Sequence, residues 1–191
     1  MKKLAMLLTF ALIAAASTSF AGLDPDDDMM GLYWDLDGES PCLASSPEPT
    51  NLYLLLTNPT MDSIGGFECG IDMVGTAYLL SATFANPQAL DVAAGFQNFI
   101  VGFGAPTTCT QNTLLVTLSV MNIGADLAFY LHAASPASIE GVLPVVLLAD
   151  DSMITLGTST LPGGMTAQMG ANCEPVDTEV TTWGSLKGLY R

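Results

Sequence analysis

Phe67-Glu68-Cys69-Gly70-Ile71-Asp72-Met73 decides the fold. Phe67, Cys69, Ile71 and Met73 fall on one side of an extended chain. Glu68, Gly70 and Asp72 fall on the other. Alternation with period two is the signature of a strand with one face on a core and one face in water. The same pattern recurs downstream. Leu114, Val116, Leu118 and Val120 alternate with Leu115, Thr117, Ser119 and Met121, and Leu127, Phe129 and Leu131 alternate with Ala128, Tyr130 and His132. Asn51–Thr57 is an apolar run stopped by Asn58-Pro59, and Met30–Leu36 is a first strand ended by Asp37-Gly38. Thr76–Phe84, Asn98–Phe103, Val142–Leu148 and Met153–Thr158 are weaker strand candidates.

Turn residues separate these runs: Gly65-Gly66, Asn86-Pro87, Gly104-Ala105-Pro106, Gly124, Ser135-Pro136 and Pro162-Gly163-Gly164. Each offers a positive φ or lacks a donor, so none suits a strand interior. One or two helical turns fit at Gln88–Gly95. Eight or nine short strands with almost no helix predict an all-β chain, a two-sheet antiparallel β-sandwich of Ig-like or cohesin-like type.

The ends read differently. Met1-Lys2-Lys3, the apolar run Leu4–Ala16 and the small residues before Ala21 form a secretory signal peptide, residues 1–21. The apolar run is shorter than the ~20 residues that a membrane span needs, and no later stretch resembles a span. Residues 22–28 are an acidic leader expected to be mobile, residues 29–173 the sandwich, and residues 174–191 an acidic linker with an aromatic and basic tail. In that tail Trp183, Leu186, Leu189 and Tyr190 recur at helix-like spacing beside Lys187 and Arg191, while Gly184 and Gly188 weaken a helix. Trp183 and Tyr190 are costly to leave in water, so the tail either docks back on the domain or is recognised by a partner.

Composition excludes several functions. The chain has 191 residues, 4 of them Lys or Arg and 19 Asp or Glu. With so few cations it has little to neutralise phosphates, which argues against nucleic acid as a partner. Loss of residues 1–21 leaves only Lys187 and Arg191 as basic residues. One His removes most His-based catalysis and most metal sites. His132 has no nucleophile motif to serve and reads as a surface residue. Asp24, Asp26, Asp27 and Asp28 offer hard oxygen ligands suited to Ca²⁺, but a terminal tail does not hold them in place. Asp35-Leu36-Asp37-Gly38-Glu39 lacks the remaining Ca²⁺-loop ligands and reads as a hairpin turn, as does Asp150-Asp151. The sequence therefore implies no catalytic residue, no metal and no cofactor. Tyr33, Trp34, Tyr53, Tyr78 and Tyr130 could stack on sugars if they were exposed together.

Export makes disulfides the default for Cys42, Cys69, Cys109 and Cys173. Four Cys allow three connectivities, and sequence alone does not choose. Cys42 and Cys173 lie near the two ends of the sandwich, and linking them would close the longest loop.

Two resemblances add to this reading. Thr182-Trp183-Gly184-Ser185-Leu186-Lys187-Gly188-Leu189-Tyr190-Arg191 resembles the TWGxxKxLYR ending of a group of secreted bacterial proteins. Tyr33-Trp34-Asp35 before Cys42, Tyr53–Asn58, Gly66-Phe67-Glu68, Val101–Pro106 and Cys173 match that group across nearly the whole mature chain. It implies no activity. Cys69 and Cys109 are additions relative to the group, which implies that they pair with each other and leaves Cys42 for Cys173. The middle of the chain also resembles a cohesin-type sandwich, in the LxLxNP of Leu54–Pro59 and the GxFEC of Gly65–Cys69. That implies a scaffold or adhesion role, and no binding residue carries over.

The expectation is thus a secreted, non-enzymatic structural or interaction module of the bacterial envelope, its partner an envelope protein or a polysaccharide. The alternatives are a carbohydrate-binding or adhesion domain, with or without Ca²⁺, and a carboxylate-based hydrolase.

Overall fold

A computed structural model describes residues 26–93, 95–161 and 163–173. The expected signal peptide, residues 1–21, and the tail residues Trp183, Leu186, Lys187, Leu189, Tyr190 and Arg191 lie outside the described residues. The described chain is β throughout, apart from one 3₁₀ turn at Ala171–Cys173.

The strands are β1 (Met29–Tyr33), β2 (Cys42–Leu43), β3 (Thr50–Thr57), β4 (Ser63–Phe84), β5 (Ala89–Asp91), β6 (Asn98–Thr108), β7 (Asn112–His132), β8 (Val145–Leu148), β9 (Met153–Thr155), β10 (Gly157–Thr158) and β11 (Ala167–Met169). They form one continuous sheet in the order β10-β1-β3-β7-β4-β6-β5, with β8 on the second edge of the first half of β4, β9 beyond β8, and β11 on β7.

Two strands make this sheet into a sandwich. β4 and β7 pair from Gly70↔His132 to Phe84↔Val116, while the earlier part of β4 pairs with β6 and β8. Phe84 at the end of β4 has its ring 6.1 Å from that of Phe99, and Phe99 pairs with Cys69 of the same β4. A straight strand would place Cys69 and Phe84 about 50 Å apart. β4 therefore curls over, and its two halves lie in opposite layers. Trp34 after β1 closes on Phe129 of β7 in the same way, with ring centroids 6.1 Å apart, and its Nε1–H donates to the Gln168 carbonyl at 2.9 Å. Between the layers, Leu32, Leu52, Leu54, Phe67, Cys69, Ile71, Phe99, Val116, Leu118 and Phe129 form a dry core. Burying a side chain of this size stabilises the fold by about 1.5–3 kcal/mol.

Several sequence expectations change here. Phe67–Met73 and Thr76–Phe84 are one strand, as are Leu114–Met121 and Leu127–His132. Gly75 and Gly124 bend the pair without ending it. The ladder slips between Gly75 and Ala77, where several β7 residues face a single β4 residue. A Cβ on Gly75 would come within 2.5 Å of the Asp126 carbonyl oxygen, and its φ is +131°. That close approach fixes glycine at the bulge. Gly104-Ala105-Pro106 likewise sits inside β6 as a bulge, because Thr107 and Thr108 resume pairing with β4. Gln88–Gly95 holds β5 rather than helical turns. Two short pairs, β1 with β10 and β2 with β11, are parallel rather than antiparallel.

Cys42 and Cys173 are bonded, across a sequence separation of 131. In the chain-entropy model a loop of that length contributes about 5 kcal/mol. The expected Cys69–Cys109 bond is absent, and both are free thiols. The register explains why. Cys69 stands opposite Phe99, whereas the Cys109 N–H donates to the Asp62 carbonyl at 2.9 Å. From Asp62 to Cys69 along the strand is roughly 20 Å, and a disulfide needs Cα atoms within about 7 Å.

Candidate functional site

An open apolar surface lies on the outer face of the layer ordered β5-β6-β4-β8-β9. Outward positions there carry unusually little side chain. On β4 they are Gly66, Glu68 and Gly70, and on β6 they are Ile100 and Gly102. A Cβ on Gly66 would come within 2.3 Å of the Val101 carbonyl oxygen, so the floor is glycine by necessity at that point. Gly102 has open space above it. The result is a trough of about 550 Å³ walled by Leu90, Val92, Ile100, Leu147 and Met153. Leu90 is 68% and Val92 70% exposed. Apolar side chains gathered around a hollow in this way make it a candidate interaction surface.

Glu68 borders the trough without opening it to charge. Its carboxylate accepts the Ser138 N–H at 3.0 Å and the Ser138 hydroxyl at 2.5 Å. That pair ties the segment between β7 and β8 across the sheet and buries Glu68, which the period-two reading had placed in water.

Next along β4 is a more polar hollow containing Asp72, His132, Asn98, Ser135 and Pro136. The His132 ring lies over Gly70, where a Cβ would strike it at 2.0 Å. Its Nδ1 is 2.7 Å from the Ala133 carbonyl, and its Nε2 is 3.4 Å from Asp72 Oδ1. Asn98 holds Ser135 by a reciprocal pair of 2.8 Å bonds. His132 is thus a partly exposed residue with structural partners.

The other singled-out residues are dispersed. Tyr33 is fully buried and donates to Ser159 Oγ at 2.6 Å, and Trp34 belongs to the core. Tyr53 and Tyr130 are half-buried, on β3 and β7. Tyr78 is exposed on the far half of β4. The five form no common stacking platform. Asp28 accepts from the Thr60 N–H at 2.6 Å and hydroxyl at 2.7 Å. Asp35 accepts from the Glu39 N–H at 3.0 Å in a turn completed by Gly38 at φ +71°. Asp150 accepts from the Ser152 hydroxyl and N–H in the β8–β9 turn, and these bonds hold its carboxyl below the usual range. Among the described residues no group of three or more His, Cys, Asp or Glu is placed to hold a metal ion. No helix among them is long and apolar enough to cross a membrane.

The free thiols differ. Burial, then the nearby Asp91 charge, pushes the Cys69 thiol far up. Cys109 is only partly covered, and burial again raises it, with Asp28 and Asp62 adding to this against a lowering contact from Thr113.

No family model matches the chain. No curated protein matches it either. Among solved structures it is similar to a cohesin module from a Clostridium perfringens ATCC13124 family 33 glycoside hydrolase. The identity is 10% and the TM-score 0.47, over 75% of this chain and 98% of that one.

The trough residues were not singled out from the sequence, because Gln88–Gly95 reads as helical turns. The missed signal is Leu90-Asp91-Val92, a short period-two run that puts Leu90 and Val92 on one face.

Proposed function

We propose that this chain is an exported, non-enzymatic interaction module of the bacterial envelope that binds protein through the apolar trough. The observation that carries the reading is the exposure of Leu90, Val92 and Met153 around a glycine floor. Such a surface gains by being covered, at about 25 cal/mol per Å² of apolar area removed from water. A signal peptide and a disulfide between Cys42 and Cys173 fit an oxidising compartment. The β-sandwich supplies a rigid platform for the surface.

The test is affinity capture from the native envelope fraction with the mature protein and with a Leu90→Asp variant. Leu90 is exposed, so the substitution leaves the core intact. The expected result is a defined protein partner retained by the parent and lost from L90D. Equal capture by both proteins would contradict the reading.

A further inference from the structure

We propose that residues 182–191 of this same chain fold back and occupy the trough, so that the interaction surface is self-capped. This rests on the reading of the trough as a binding surface and names its resident occupant. Three observations carry it. The first is the trough itself, apolar and open, with room above Gly102 for an inserted ring. The second is charge. The described residues contain fifteen carboxylates and no Lys or Arg. The segment 182–191 carries Lys187 and Arg191, the only basic residues after Lys3. It also carries Trp183, Leu186, Leu189 and Tyr190, the side chains an apolar trough would take. Opposite fields of this kind favour docking.

The third observation is reach. Cys173 lines a hollow with Val74 and Ala128 on the outer face of β4 and β7. Six residues back along β4, Glu68 pairs with Ile100 at the near end of the trough. Strand rise and strand spacing put that point about 25 Å from Cys173. The chain from Cys173 to Trp183 spans up to about 33 Å when extended. The path between them runs past the polar hollow that holds Asp72. A tether of this length also gives a high effective concentration, so modest contacts suffice.

The experiment uses the full mature chain and its own fluorescence. The protein has two Trp residues. Trp34 is buried, with its N–H bonded to Gln168, and serves as the shielded reference. Acrylamide quenching is measured for the parent, for Leu90→Asp and for Gly102→Glu. A Cβ at Gly102 meets nothing within 4 Å, so that variant enters the trough without a clash at the backbone. The expected result is weak quenching in the parent and a several-fold rise with a red shift in both variants, with melting transitions unchanged. Free quenching of Trp183 in the parent, or no change in either variant, overturns the proposal. Quenching that rises on dilution assigns the occupant to a second copy and also overturns it. If L90D loses envelope capture while Trp183 stays accessible throughout, the interaction-module reading stands and the self-capping falls.

Discussion

Ile64–Ile71 and Asp72–Phe84 belong to one strand, yet water meets them differently. In the first half nearly every residue is buried, on both faces. In the second half the outward residues Val74, Tyr78 and Leu80 stand in solvent. The inward faces both reach the core, fully buried at Ile64, Phe67, Cys69 and Ile71 and partly buried at Met73, Ala77, Leu79, Ala82 and Phe84. The larger difference lies outside. The first half is flanked by β6 and β8 and crossed by the segment holding Ser138. The second half pairs only with β7. Burial on the outer face is thus set by what the chain lays over the sheet, not by the strand's own pattern. The trough opens where that cover stops short.

The contrast can be broken or sharpened by substitution. The largest effect is expected at Phe67, which packs on Phe99 and Phe103. Phe67→Ala should cost about 3–5 kcal/mol in urea unfolding; a loss below about 1 kcal/mol would mean the first half is not the centre of the core. Next is a matched pair of carboxylates four residues apart. Glu68→Ala strands the Ser138 donors and should cost about 2–3 kcal/mol. Asp72→Ala, at a largely exposed side chain, should stay within about 0.5 kcal/mol. Similar costs for both would erase the proposed role of the cover.

A smaller effect comes from the Cys69 thiol. Its folded value is raised, so the stability it contributes is complete below the ordinary thiol range and is lost as pH rises above it. Above about pH 8.5 the unfolded chain ionises this thiol and the folded chain does not. Unfolding free energy should then fall by up to about 1.4 kcal/mol per pH unit. Comparing urea midpoints from pH 7 to 10 in the parent and in Cys69→Val checks this, and the variant should lose that part of the slope. The smallest effect belongs to the second half of β4, where Tyr78→Ser should shift stability by no more than about 0.5 kcal/mol.

The inner face was legible because period two is a local property. Phe67, Cys69 and Ile71 point where alternation puts them. The outer face was not legible, since Glu68 is buried by Ser138, a residue seventy positions away. Strand length was misread for a related reason. Gly124 looks like a turn in isolation and instead lies in a bulge, because β4 stands opposite it at Thr76. The Cys69–Cys109 pairing came from a resemblance, and the β4–β6 register overrides it. The Cys42–Cys173 bond joins chain ends that β2 and β11 bring side by side.

The most direct test of the two-layer core is a thiol map of the native mature protein. A membrane-free alkylating reagent is applied before and after unfolding, and modified peptides are read by mass spectrometry. The account predicts Cys42 linked to Cys173, Cys109 modified in the native state, and Cys69 modified only on unfolding. A Cys69–Cys109 crosslink, or native modification of Cys69 as fast as that of Cys109, would contradict it.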